Sequence, residues 1–181
     1  MSRVPLIDTA SATAGQRAVL DQIHSAFGTV PNMFRAVANS EAALQQMWSA
    51  FGALGGGQIP AKLGEQIAVA VANRNDCGYC LAAHTALGRK AGASQEEMQA
   101  AQIGHSSDAK TAAALRFALA LVEQRGAVSS AEVARLREAG FSDGEVVEIL
   151  AHVALNLFTN YVNVAFDVPI DFPQVSLRKA A

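Results

Sequence analysis

Charge is scarce in this chain. Only 17% of its 181 residues are Asp, Glu, Lys or Arg, against about a quarter in ordinary soluble domains. Neither sign dominates: 14 basic residues stand against 16 acidic ones, for a net charge of −2. With no basic stripe to neutralise phosphates, nucleic acid is not an expected partner. Long apolar runs are also missing. Stretches such as Ile67 to Ala72 fall far short of the roughly 20 residues that cross a bilayer. The opening Met1-Ser2-Arg3-Val4-Pro5 carries no apolar signal core. The expectation is a cytoplasmic protein with no membrane partner. Two cysteines cannot build a disulfide framework, and aromatics make up only 6%.

Small apolar residues are plentiful instead. The chain is 51% hydrophobic and 37 of its residues are Ala. That hydrophobicity excludes disorder, and the length can bury a core without disulfides or structural metal. Ala is the best helix former, so composition favours helix over sheet. A charge-poor, apolar-rich chain of this size also points to a homo-oligomer.

The order of caps and breakers agrees with an all-α reading. Val19, Leu20, Ile23 and Phe27 line one face of a helix that Gly28 closes. Ser40 caps a helix presenting Leu44, Met47, Trp48 and Phe51, and Gly55-Gly56-Gly57 ends it. That glycine run lacks the strand and Lys-Ser/Thr ending of a phosphate loop. Pro60 opens the next helix from its first turn. Asn73 to Asp76 reads as a turn, with Asp76 as N-cap of a helix to Ala91. Ser94 with Glu97, Ser129 with Glu132, and Ser142 with Glu145 read as capping boxes. Asp108 caps a helix through Val122. Asp143 to Ala165 is the last and most apolar helix, followed by an extended tail. The organisation expected is one domain over 1–181. It comprises N-terminal helices (1–57), a Cys-x-x-Cys core (58–126), and C-terminal helices with a tail (127–181), packed as antiparallel helix hairpins.

Both cysteines lie in Cys77-Gly78-Tyr79-Cys80. Residues three apart share a helix face, so the two sulfurs are close enough to pair. A place in the first turn, near unpaired amides, favours a thiolate on Cys77, although adjacent Asp76 opposes it. His84 follows Cys80 by four residues, within about 40° of the same face, which favours Cys80 instead. An imidazole is the natural proton acceptor for a thiol. Glu65 sits on the preceding helix among Leu63, Ile67 and Val71. A carboxylate there suits orienting His84 or taking a proton. The same four residues also make up a possible zinc set, lacking the usual second Cys/His pair, or a redox sensor without catalysis. A thioredoxin-type reading fails because no βαβ pattern surrounds the motif.

The spacing of Glu65, Cys77-Gly78-Tyr79-Cys80 and His84 resembles the alkylhydroperoxidase AhpD / carboxymuconolactone decarboxylase superfamily. So do Val30-Pro31-Asn32-Met33-Phe34, Asn160-Tyr161-Val162-Asn163 and Asp171-Phe172-Pro173, in its peroxidase-related branch. The resemblance implies an AhpD-like helical fold, a trimer or a trimer-based hexamer, and reduction of alkyl hydroperoxides without a cofactor. Cys80 would attack, Cys77 would resolve to a disulfide, and Glu65 with His84 would relay protons. An unidentified thiol-reducing partner would return the pair to dithiol. Tyr79 stands where the best-known members have a relay His. Decarboxylase activity is disfavoured, because true carboxymuconolactone decarboxylases lack the cysteine pair. His152, Asn156, Asn160 and Asn163 recur along one face of the last helix. This stripe either bonds helices or subunits together or lines the cysteine pocket, and Tyr79 and Asn160 are the supporting residues expected at the site.

Overall fold

The computed structural model describes residues 2–178, in which nine α-helices and no strand occur. They are α1 (Ala14–Phe27), α2 (Asn32–Val37), α3 (Glu41–Gly55), α4 (Ala61–Arg74), α5 (Gly78–Lys90), α6 (Gln95–Gln102), α7 (Ala109–Glu123), α8 (Ser130–Glu138) and α9 (Asp143–Ala165). No described helix is long and apolar enough to cross a membrane.

Helix α4 is the centre. Leu63, Gly64 and every residue from Gln66 to Ala72 are buried, and α5, α9, α6 and α7 all pack on it. A helix that is apolar nearly all round must be enclosed on every side. This explains why Ile67-Ala68-Val69-Ala70-Val71, strand-like in composition, forms a helix. The small residues between the Val and Ile side chains let its neighbours approach closely. Gly88 of α5 illustrates this: a Cβ there would lie 2.4 Å from the Met98 side chain and 3.3 Å from the Glu65 Cβ.

Local signals set the helix starts. All three expected capping boxes form. A fourth, Thr13 with Gln16, opens α1. Asp108 caps α7 by accepting the Thr111 N–H at 2.8 Å. Two starts differ from expectation. Pro60 is the N-cap of α4, one place before the first turn. Cys77, not Asp76, caps α5, its Sγ accepting the Cys80 N–H at 3.3 Å. The cause is the tightness of the reversal. The Cys77 N–H bonds back to the Ala72 carbonyl at 2.9 Å, which leaves Asp76 at φ 52°. Asp is among the few non-glycine residues that tolerate this left-handed conformation.

The tail after α9 is pinned across the molecule. Asp171 accepts the Asn32 N–H at 2.8 Å, and Pro169 O accepts from Asn32 Nδ2 at 3.1 Å. Phe172 meets Tyr79 edge-on at 5.8 Å. Asn73 and the Arg178 backbone exchange two bonds of 2.8 Å. The tail therefore joins the starts of α2 and α5 to the end of α4.

Candidate functional site

Cys77 and Cys80 are both free and buried, and their environments drive the thiols apart. Burial pushes the Cys80 thiol up. The Cys77 thiol donating to it, the His84 charge, and the Asn163 and Asn160 amides outweigh that and bring it down to about 7. Cys77 moves the other way: its hydrogen bond to Cys80, then burial, hold it protonated far above the ordinary thiol value. Cys80 is thus the more acidic of the two thiols, and Cys77 is the neutral donor beside it. The dipole argument for Cys77 loses because its sulfur, as the cap, sits against the neighbouring thiolate.

His84 is buried on α5, one turn after Cys80. Glu65 is placed by α4, the helix packed most extensively on α5. The His84 Nδ1–H donates to Glu65 Oε2 at 2.7 Å. Burial opposes charge on the imidazole, but the carboxylate prevails and raises its pKa. With Nδ1 held by an acceptor-only group, Nε2 is the nitrogen left to exchange protons.

Two cavities meet at His84. One has Cys80 and His84 in its wall with Met33, Tyr79, Leu87 and four of the chain's eight Phe residues: Phe27, Phe34, Phe51 and Phe172. Those four come from α1, α2, α3 and the tail. Phe34 packs edge-on against Phe51 at 5.7 Å and against Trp48 at 5.9 Å. The other, a recess, borders Glu65 and His84 with His152 and Asn156 of α9. Burial lowers the pKa of His152. Its ring lies where a Cβ on Gly64 would come within 3.2 Å.

Tyr79 has a different surrounding from a relay group. Its buried hydroxyl accepts the Met33 N–H at 3.2 Å. Burial, then the nearby Asp171 carboxylate, keeps the phenol protonated well above its ordinary range. It ties α5 to α2 and to the tail.

Of the polar stripe on α9, Asn156, Asn160 and Asn163 are buried. Asn163, part of both the stripe and the Asn160-Tyr161-Val162-Asn163 stretch, donates its Nδ2 to Cys80 Sγ at 3.1 Å. Its spacing of three from Asn160 was the available signal. No three of the described His, Cys, Asp and Glu side chains are grouped to hold a metal ion. The four-ligand zinc arrangement is therefore not formed. Cys77 turns to the backbone and Cys80, while Glu65 is occupied by His84.

Residues 41–124, which include Glu65, both cysteines and His84, match the sequence profile of the Carboxymuconolactone decarboxylase family. No functionally curated protein matches the chain. Solved structures do. An uncharacterized peroxidase-related protein from Ralstonia eutropha JMP134, described as an alkylhydroperoxidase AhpD core, superposes with a TM-score of 0.84. It is 25% identical over 94% of this chain and 92% of that one. A peroxidase-related protein from Silicibacter sp. TM1040 gives 0.81 at 23% identity, over 93% and 91%. The debrominase Bmp8 in complex with 2,3,4-tribromopyrrole gives 0.78 at 20%, over 93% and 91%.

Proposed function

The chain belongs to the AhpD-like/carboxymuconolactone decarboxylase superfamily, and from that premise we propose that it is a thiol peroxidase reducing organic hydroperoxides. One observation carries the reading: a thiol with a pKa of about 7 stands at an apolar cleft, with a second thiol and a carboxylate-held imidazole beside it. The Cys80 thiolate attacks the O–O bond, forming S–O and releasing an alkoxide that takes a proton from His84. Cys80 is then a sulfenic acid. Cys77 attacks that sulfur, and the departing hydroxide takes the Cys77 proton as water. A dithiol or equivalent reductant restores the pair. Glu65 keeps His84 in the tautomer that serves the alkoxide. No organic cofactor takes part in this cycle.

The cleft favours an alkyl or aryl hydroperoxide over hydrogen peroxide, because its walls are aromatic and aliphatic. The experiment is hydroperoxide consumption by the reduced protein, with loss of two thiols per turnover. Cumene hydroperoxide should outpace hydrogen peroxide. Thiols that survive both would overturn the reading. The aromatic walls also suit a halogenated ring, the substrate type of one structural neighbour. Halide release from a bromopyrrole, with disulfide formation, would move the assignment to reductive dehalogenation.

Assembly belongs to the same proposal. Val147 (67% exposed), Leu150, Tyr161 and Val164 leave an apolar stripe open along α9. A second copy of the chain covers it in a trimer or hexamer. The thiol cycle suits a reducing, cytoplasmic compartment.

A further inference from the structure

The face of Cys80 turned to α9 is lined by amides. Asn163 is 4% exposed and Asn160 fully buried. The Asn163 Nδ2 lies 3.1 Å from Cys80 Sγ and 3.0 Å from the Thr159 carbonyl. A carbonyl only accepts, so the atom facing both must be the NH2 group. One N–H goes to Thr159 and the other to sulfur, which is therefore an acceptor. Asn160 is oriented differently. Its Oδ1 accepts from Asn75 Nδ2 at 2.9 Å, which turns the Asn160 NH2 inward, near enough to Cys80 to favour its charge but without a formed hydrogen bond to any partner. A buried donor left unpaired is costly and calls for a reason. Asn75 belongs to the turn between α4 and α5, so that turn also sets the Asn160 amide.

We infer that Asn163 and Asn160 form a two-amide cradle for the Cys80 sulfur, in which Asn163 donates to the resting thiolate and Asn160 receives the oxygen transferred to it. The inference rests on the reading of Cys80 as the attacking thiol. In the step concerned, two electrons pass from sulfur to the peroxide. S–O forms as O–O breaks, and the departing alkoxide is protonated by His84. The oxygen gained by sulfur is a new acceptor in a dry place, and the Asn160 donor is the one without a partner there. Asn75 is a positioning residue, acting only through Asn160. The titratable groups facing Cys80 are Cys77, Tyr79 and His84 of α5. Behind them stand Glu65 of α4, Asp171 of the tail and His152 of α9. Both amides are neutral at every working pH, so they shift the Cys80 profile without adding a titration of their own.

The test is the rate of Cys80 alkylation by iodoacetamide in the intact protein from pH 5 to 10, read by peptide mass spectrometry. Asn163→Leu should slow it roughly tenfold or more at pH 7, the loss of a hydrogen bond to a charged acceptor, and the rates should converge at pH 10. Asn160→Leu should slow oxidation by cumene hydroperoxide roughly tenfold even at pH 10, where alkylation matches the parent. Asn75→Ala should reproduce part of that loss, and Asn75→Ser, which keeps a donor, should restore it. Unmoved alkylation in folded Asn163→Leu, or oxidation that recovers at pH 10 in Asn160→Leu, overturns the cradle. If Asn160→Leu fails to fold, Asn75→Ala decides in its place, and parent-like oxidation in it overturns the inference; if Asn163→Leu fails to fold, Asn163→Ala takes its place in the same alkylation test, with the same outcomes. A parent protein that consumes no peroxide removes the role given to Asn160, while alkylation still decides that of Asn163.

Discussion

Glu65→Gln exchanges the carboxylate 2.7 Å from His84 Nδ1 for a neutral amide of the same shape. Burial then acts on the imidazole without its counter-charge. A hydrogen bond to a charged group contributes about 1.5–3 kcal/mol, and one pK unit corresponds to about 1.4 kcal/mol. The His84 pKa should therefore fall, because burial disfavours the charged ring and no carboxylate is left to favour it. Cys80 then loses the charge that helps bring it to about 7. The parent Cys80 is about half thiolate at pH 7, and a rise of about one unit leaves about a tenth. Stopped-flow absorbance at 240 nm against pH reads this directly. The thiolate step should move to higher pH, with roughly a fivefold smaller thiolate signal at pH 7 and no difference at pH 10. The stability effect has a defined sign. The folded pKa of His84 is raised, so its contribution is complete below its ordinary value of about 6.5 and is lost as pH rises through the folded value. The Cys80 contribution runs oppositely, complete above 9.0 and lost as pH falls through about 7. A thiolate curve in folded Glu65→Gln that superposes on the parent curve would refute the coupling from Glu65 through His84 to Cys80.

Three other outcomes are expected. Ile67→Ala, at a fully buried position on α4, should cost about 2–5 kcal/mol in urea unfolding; a loss under about 1 kcal/mol would mean that α4 is not tightly enclosed. Tyr79→Phe strands the Met33 N–H and should lower stability by about 1–3 kcal/mol while leaving peroxide turnover intact; lost turnover at full stability would make the hydroxyl part of the chemistry. Val147→Glu with Leu150→Glu should reduce the mass seen by light scattering to that of one chain, and a parent already at that mass would refute the assembly.

Features that depend on neighbours along the chain can be read from the order of residues. Capping boxes such as Ser94 with Glu97 involve side chains within one turn of the helix start, so they are readable as patterns. The grouping of the candidate site residues is legible for the same reason. Cys77, Cys80 and His84 lie within two turns of one start, and a single short turn brings Glu65 alongside. Even there, one local judgement failed. Whether Asp76 or Cys77 caps α5 was set by the bond from Cys77 N–H back to Ala72, a feature of how tightly α4 closes. Tertiary structure alone decided the rest. The cleft draws its Phe residues from three helices and the tail, segments with no sequence relation to the Cys pair. Asn163 reaches Cys80 across 83 residues, because α9 packs on both α4 and α5. The stripe on α9 was visible as a period, but a period cannot say whether it faces a subunit, a helix or a sulfur. That choice depends on which neighbour buries the face, and only packing supplies it.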